Sequence, residues 1–150
     1  MPTLQHIQWS ERNKRPPHTS QRATGHDSSA AGSGAALRKV LVVDDERDLA
    51  DMTAVMLGFH GLDVVVAYCA QDALQELEND HEIDAVFSDV VMPGMNGLEL
   101  AETVQKRYPS VKIVLASGYA QPALLAAGNR TFLYTTKPYK IQTILDLLRT

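Results

Sequence analysis

The feature that most constrains this chain is a series of short, mostly apolar runs separated by stretches with helical periodicity. The runs lie at 39–43, 63–67, 84–89, 112–117 and 131–136. Continuous β-branched runs such as the first are typical of parallel strands covered on both faces. The helical stretches lie at 48–59, 70–80, 97–108, 121–127 and 141–149. This alternation predicts an α/β domain: a five-stranded, doubly wound parallel sheet between two helical layers.

Two of the predicted helices have features of their own. The stretch 48–59 carries its large apolar residues at helical spacing, on one face. The stretch 121–127 is short, with a proline in its first turn, where the missing N–H costs little. We therefore expect only a stunted helix there. The apolar residues of the first stretch are Leu49, Met52, Val55, Met56 and Phe59.

Residues 1–37 differ in composition from the remainder of the chain. They are rich in Ser, Gly and Pro and show no sustained period, which predicts a disordered tail before a folded domain at 38–150. Residues 1–39 hold six basic and two acidic residues, and 40–150 hold eight and sixteen, so the balances of +4 and −8 sum to −4. The basic residues are sparse and match no nucleic-acid-binding module, so we expect no direct nucleic-acid binding.

Cysteine content and hydropathy bear on the compartment. Cys69 is the single cysteine, which excludes an internal disulfide and favours a reducing environment. No apolar run approaches the length of a membrane span, and the first twenty residues lack a signal-peptide pattern. We expect a cytoplasmic protein without membrane association. Because the last predicted helix ends the sequence, we also expect no attached effector domain.

Polar side chains follow four of the five predicted strands. The carboxyl ends of parallel strands meet at one edge of a sheet, where ligands bind near the point at which strand order reverses. Each residue alone has an ordinary explanation as a helix cap, a turn former or a solvated charge. Together, crowded carboxylates repel one another, and a hard cation such as Mg²⁺ relieves the repulsion. The residues at these four strand ends are Asp44, Asp45, Glu46, Asp89, Ser117 with its neighbour Gly118, and Lys137 with its neighbour Pro138.

Four segments carry a resemblance to a known family. In chain order they read VLVVDDE, FSDVVMPGMNGLEL, IVLASGY and YTTKP. They resemble the receiver domain of two-component response regulators (the CheY-like type), over roughly residues 39–150. The resemblance implies a flavodoxin-like sheet with strand order 2-1-3-4-5. It also implies that an aspartate after the third strand accepts a phosphoryl group from a phosphohistidine on a partner kinase.

Carried over position by position, the resemblance makes Asp89 the phosphoacceptor. Asp44 and Asp45 belong to the acid pair that holds Mg²⁺ together with Asp89, and the backbone carbonyl of Val91 is the remaining protein ligand. Such a site suits phosphoryl transfer, because Asp89 is an in-line nucleophile while Mg²⁺ and Lys137 place positive charge on the phosphoryl oxygens.

The resemblance also assigns the remaining strand-end residues. Ser117 occupies the position whose hydroxyl bonds the bound phosphoryl group, and Lys137 pairs with that group. Pro138 is expected to follow a cis peptide bond. Tyr134 matches the aromatic switch whose ring turns inward when Ser117 is drawn toward the phosphate.

The resemblance further implies partners and leaves alternatives open. The partners are a sensor histidine kinase or a histidine phosphotransfer protein and a downstream protein target, with a phosphorylation-dependent homodimer left open. The domain is then a self-catalysed phosphoacceptor instead of a turnover enzyme. One alternative is an interaction module that keeps the fold but does not depend on phosphorylation. Another is a phosphatase of the haloacid dehalogenase type, whose Asp-x-Asp pattern after the first strand is absent here.

Two further details concern the lifetime of the phosphorylated state and the surface that passes the signal on. Val91 and Tyr119 flank the acceptor and are bulky, which predicts slow loss of the phosphate by crowding an attacking water. The segment between Ser117 and Lys137 is short, which leaves the output surface undefined.

Overall fold

A computed structural model of the protein describes residues 36–118 and 132–150. Within these ranges it contains five strands and four helices. The strands are β1 (Lys39–Val43), β2 (Asp63–Ala67), β3 (Ala85–Asp89), β4 (Lys112–Ser117) and β5 (Leu133–Thr136). The helices are α1 (Arg47–Phe59), α2 (Ala70–Asn79), α3 (Gly97–Arg107) and α4 (Ile141–Leu148). The disordered tail, the stunted helix at 121–127 and the position of Tyr119 are predictions that lie outside, or almost wholly outside, the described residues.

The strands form one parallel sheet in the order β2-β1-β3-β4-β5. The strand order reverses at β1, whose neighbours β2 and β3 lie on opposite sides of it. All five residues of β3 are buried, as expected for a central strand covered on both faces. The predicted α/β fold and strand order are confirmed.

Two apolar clusters lie on the two faces of the sheet. Successive side chains of a strand point to opposite faces, so in β1 Val40 and Val42 join one cluster and Leu41 and Val43 the other. Helices α1 and α4 cover the first cluster, and helices α2 and α3 cover the second. Among the helices of the described ranges, none combines the length and apolar character that a membrane span requires.

Helix α1 does not bury the large apolar face noted in the sequence. Met52 is 60% exposed and Phe59 is 81% exposed, and Val55 and Met56 are also exposed. The residues that face the sheet are Ala50, Thr53, Ala54 and Leu57. Three of these are small, which lets the helix backbone approach the sheet closely. Periodicity therefore locates the helix correctly, but the large apolar face that it marks is not the side that packs on the sheet.

This difference between the two sides of α1 can be measured. Leu57 is fully buried whereas Met56 is 40% exposed. We expect Leu57→Ala to lower the free energy of unfolding by about 2–5 kcal/mol, because it leaves a cavity in the core. We expect Met56→Ala to change it by less than about 0.5 kcal/mol. Urea denaturation of both variants tests the assignment, and equal losses would contradict it.

Candidate functional site

The predicted strand-end acids come together at one edge of the sheet. Asp44 and Asp45 follow β1, and Asp89 is the last residue of the neighbouring strand β3. One carboxylate oxygen from each of the three lies within 4.8 Å of the others. Asp44 and Asp89 are buried, whereas Asp45 is exposed. The cluster therefore has a buried floor and one side open to solvent.

Lys137, which follows β5, reaches into this cluster. Its ammonium nitrogen lies 3.1 Å from Asp89 Oδ2 and 3.4 Å from Asp44 Oδ2. Its backbone N–H donates to the carbonyl of Ser117 at 2.8 Å, which fastens the start of the loop to the end of β4. The peptide bond between Lys137 and Pro138 is cis. One ammonium thus contacts two of the three carboxylates.

The electrostatics of the cluster are unbalanced. Burial raises the pKa of the Asp44 carboxyl, and Asp89 raises it further. The N–H of Glu46, which donates to Asp44 Oδ1 at 2.9 Å, and the Lys137 ammonium only partly oppose this rise in the pKa. For Lys137, burial lowers the pKa, but attraction and hydrogen bonds from Asp44 and Asp89 outweigh it, so the pKa is raised. With three carboxylates against one ammonium, an added cation would be stabilised here.

The donor set fits a magnesium ion. Mg²⁺ binds through one or two carboxylates, keeps several waters and leaves positions for phosphate oxygens. Asp44, Asp45 and Asp89 supply only oxygen donors, and the exposed side of Asp45 leaves room for water. The acids present are therefore of the kind and spacing that such an ion requires.

The loop after β3 turns sharply and passes close to the end of that strand. Gly94 has a φ of +75°, a left-handed conformation that favours glycine. A Cβ on Gly97 would lie 2.0 Å from the carbonyl oxygen of Asp89, so only glycine allows this close approach. Asn96 and Glu99 form a capping box that fixes the start of α3. These contacts turn the chain sharply back behind Asp89.

Comparison with known proteins identifies the family. Residues 40–149 match the model of the response regulator receiver domain. The chain belongs to this family. A receiver domain protein (CheY-like) from Methanospirillum hungatei JF-1 is 29% identical, with a TM-score of 0.66, covering 74% of this chain and 90% of that one.

Two further solved structures hold ligands. The response regulator TrrA from Thermotoga maritima, in complex with Mg²⁺-BeF, is 26% identical with a TM-score of 0.66, covering 73% of this chain and 94% of that one. A response regulator from Burkholderia pseudomallei contains a phosphorylated aspartic acid, a calcium ion and citrate. It is 27% identical with a TM-score of 0.68, covering 75% of this chain and 67% of that one.

The receiver domain brings most of the predicted site residues to this edge. Ser117 is buried at the end of β4, and β4 pairs with β3 so that Ala116 lies opposite Asp89. Val91 is 61% exposed, and its N–H donates weakly to Asp89 Oδ1 at 3.4 Å. Tyr134 is half-buried in β5 and packs against the cluster under α2 and α3. The functions assigned to these residues from the resemblance stay predictions.

Two tyrosine contacts near the site were missed in the sequence. Tyr68 follows β2 directly and donates to Asp51 Oδ1 at 2.6 Å, while the guanidinium of Arg47 lies 4.2 Å from its ring centroid. Burial, together with Asp51, raises the pKa of Tyr68 to about 12. Tyr139 follows Pro138 and hydrogen-bonds Thr53 of α1 at 3.0 Å. Both tyrosines come soon after a strand, and this much the sequence shows. Their hydrogen-bond partners lie on other segments of the chain, and no spacing in the sequence indicates such pairs.

The raised pKa of Asp44 predicts a pH-dependent effect of its removal. The ordinary value is 3.8, so ionised Asp44 destabilises the folded receiver domain. The stability that this carboxyl contributes is complete below 3.8 and is lost as pH rises through the folded-state pKa. We expect Asp44→Asn to resist urea better than the wild type at neutral pH, in a chelating buffer, and to lose this advantage in acid.

Asp45→Asn is the matched control, because its carboxyl is exposed and its removal relieves no burial. Urea midpoints measured from acid to neutral pH test the prediction. A neutral-pH midpoint of Asp44→Asn below that of the wild type would contradict it.

Proposed function

We propose that this receiver domain accepts a phosphoryl group on Asp89 from a phosphohistidine of a partner kinase or phosphotransfer protein. The observation that carries the proposal is the contact of Lys137 with Asp89 inside a cluster of three carboxylates. Relatives support it, since the T. maritima structure is a complex with Mg²⁺-BeF and the B. pseudomallei structure contains a phosphorylated aspartic acid.

The transfer step follows from the arrangement of these groups. A carboxylate oxygen of Asp89 attacks the phosphorus of the phosphohistidine, and the phosphorus–nitrogen bond breaks. The electron pair of that bond stays on the imidazole nitrogen, and the product is an aspartyl phosphate. Lys137 lies beside the attacked carboxylate, where its ammonium can stabilise charge on the transferred phosphoryl oxygens. Mg²⁺, when bound by Asp44, Asp45 and Asp89, supplies further positive charge to those oxygens.

Three residues extend the proposal to signalling. Ser117 ends the strand next to Asp89, so we assign its hydroxyl to the bound phosphoryl group. Tyr134 lies on β5, the strand next to Ser117, and we assign its ring to the switch that reports phosphorylation. The carbonyl of Val91 is assigned as a metal ligand. In this proposal the domain is a phosphoacceptor and does not turn over a substrate.

Chemical phosphorylation tests the acceptor directly. We expect acetyl phosphate with Mg²⁺ to add one phosphoryl group to the protein, measured by intact mass. Asp89→Asn should abolish the addition completely, because the side-chain amide of asparagine is not a nucleophile toward phosphorus. Asp146→Asn, an exposed aspartate of α4, is the matched control and should be modified like the wild type.

Other results would favour another function. Turnover of a phosphate monoester by the wild type would indicate a phosphatase. Partner binding that is the same in wild type, phosphorylated protein and Asp89→Asn would indicate a phosphorylation-independent interaction module.

The exposed side of α1 suggests where the phosphate donor docks. Leu49, Met52 and Met56 line an apolar groove, called here the α1 groove, with the loop after β5. Lys137 and Tyr139 form part of its other side. A donor histidine must approach Asp89 closely, so its protein covers the surface around the strand ends. We assign the α1 groove to the histidine-bearing partner because its apolar surface borders the acceptor site.

Substitutions in the groove should separate protein-mediated from chemical phosphorylation. We expect Met52→Gln to slow phosphotransfer from a histidine kinase, identified by phosphotransfer profiling, by about tenfold, as for a central interface residue. Modification by acetyl phosphate should not change, because the acids are untouched. Leu133→Gln, an exposed apolar residue of β5, is the control and should transfer normally. Equal transfer rates for Met52→Gln and wild type would contradict the assignment.

A further inference from the structure

A partly buried hydroxyl pair connects helix α1 to the loop that carries Lys137. The hydroxyl oxygens of Thr53 and Tyr139 are 3.0 Å apart, although the residues are 86 positions apart in sequence. Thr53 is only 2% exposed and lies on the side of α1 that faces the sheet. Its hydroxyl therefore needs a hydrogen-bond partner, and Tyr139 provides one.

The ring of Tyr139 is held from a second direction. It packs edge-on against Phe87, with ring centroids 5.2 Å apart and an interplanar angle of 84°. Phe87 is buried in β3, two residues before Asp89, and so lies on the same face of the strand as the acceptor. Such aromatic pairs contribute stabilisation beyond the burial of their area. Tyr139 is therefore fixed both to α1 and to the strand that ends in Asp89.

Lys137 lies two residues before this anchor. The N–H of Lys137 donates to the carbonyl of Ser117, and its ammonium contacts Asp44 and Asp89. The short loop is thus fastened at its start to β4 and two residues later to α1 and β3. A flexible lysine side chain is more precisely placed when the backbone on both sides of it is restrained.

We propose that Tyr139, held by Thr53 and Phe87, is a positioning residue that sets the Lys137 ammonium against Asp89 for phosphoryl transfer. This inference rests on the proposed function. Tyr139 and Thr53 touch no reacting atom, so they act only through Lys137. Both also line the α1 groove, which places the anchor under the surface assigned to the phosphate donor.

The inference makes opposite predictions for two ligands. Beryllofluoride occupies the position of the phosphoryl group, where the Lys137 ammonium should stabilise it. Mg²⁺ alone competes with that ammonium for the oxygens of Asp44 and Asp89. A protein in which the Lys137 loop is less restrained should therefore bind beryllofluoride more weakly. Its Lys137 ammonium should also obstruct Mg²⁺ binding less. General destabilisation of the site would weaken both ligands together.

Hydroxyl deletion on either side of the pair provides the test. We expect Tyr139→Phe and Thr53→Val each to weaken beryllofluoride binding roughly three- to tenfold at saturating Mg²⁺, the range for one lost hydrogen bond. Mg²⁺ binding without beryllofluoride should tighten about twofold, as for a weakened ion pair. The double variant should bind beryllofluoride as each single variant does, because both changes remove the same contact. Fluorine NMR and Mg²⁺ titrations measure these affinities.

Two controls separate positioning from structural loss. Thr53→Ser keeps the hydroxyl and should retain wild-type affinity for both ligands. Tyr108→Phe removes a hydroxyl at the end of α3, at the opposite edge of the sheet, and should change neither affinity. Urea denaturation of each variant shows whether a change in affinity follows a change in stability.

The outcomes distinguish the positioning role of Tyr139 from the proposed phosphoacceptor function. Weaker beryllofluoride binding with equal or tighter Mg²⁺ binding supports the inference. Wild-type affinity for beryllofluoride in both hydroxyl variants, or parallel weakening of both ligands, overturns it. If the wild type itself binds no beryllofluoride, the proposed function fails, and the Mg²⁺ titration still decides the positioning of Lys137. Tighter Mg²⁺ binding in the variants then supports it, and equal or weaker binding overturns it.

Discussion

The excess of negative charge at the carboxyl edge of the sheet is the interaction on which the site depends. Asp44 and Asp89 are buried beside each other, and Lys137 neutralises only part of their charge. A buried carboxylate is stabilised by partners of opposite charge, so a further cation would be stabilised beside these acids. Burial of Asp44, together with the nearby charge of Asp89, raises the pKa of the Asp44 carboxyl, and a cation bound at this edge would relieve the same crowding of negative charge.

The remainder of the fold supplies the rigidity that this charge arrangement needs. The acids lie at the ends of β1 and β3, which are buried on both faces and pair directly in parallel register. Repulsion between carboxylates would separate them on a mobile loop, but strand ends fixed by backbone hydrogen bonds cannot move apart. The stability lost at the site is offset by the two apolar clusters that lie on the faces of the sheet. The site therefore lies where the stability of the core can offset repulsion between carboxylates.

Most of the architecture was predictable because it depends on local pattern. Strands β1, β3, β4 and β5 each end in a polar residue or are followed by one, and a parallel sheet brings those residues to one edge. The buried side of α1 was not, because both of its sides carry apolar residues. Ala50, Ala54 and Leu57 are buried for reasons of fit to the sheet, whereas Met52 and Phe59 are exposed. The spacing of apolar residues shows which sides of a helix are hydrophobic, but it does not show how closely each side can pack against the sheet.

The pairing of Thr53 with Tyr139 shows a further limit of sequence patterns and joins the two halves of the site. Neither residue belongs to an apolar or acidic pattern, and their contact exists only because α1 packs beside the loop after β5. That packing places small residues of α1 under large exposed ones, so the apolar groove and the hydroxyl pair come from the same helix. A partner that presses on Met52 and Met56 therefore presses on the helix that anchors Tyr139. Tyr139 contacts both Thr53 of α1 and Phe87 of β3, so the proposed docking surface and the proposed positioning of Lys137 depend on the same residues.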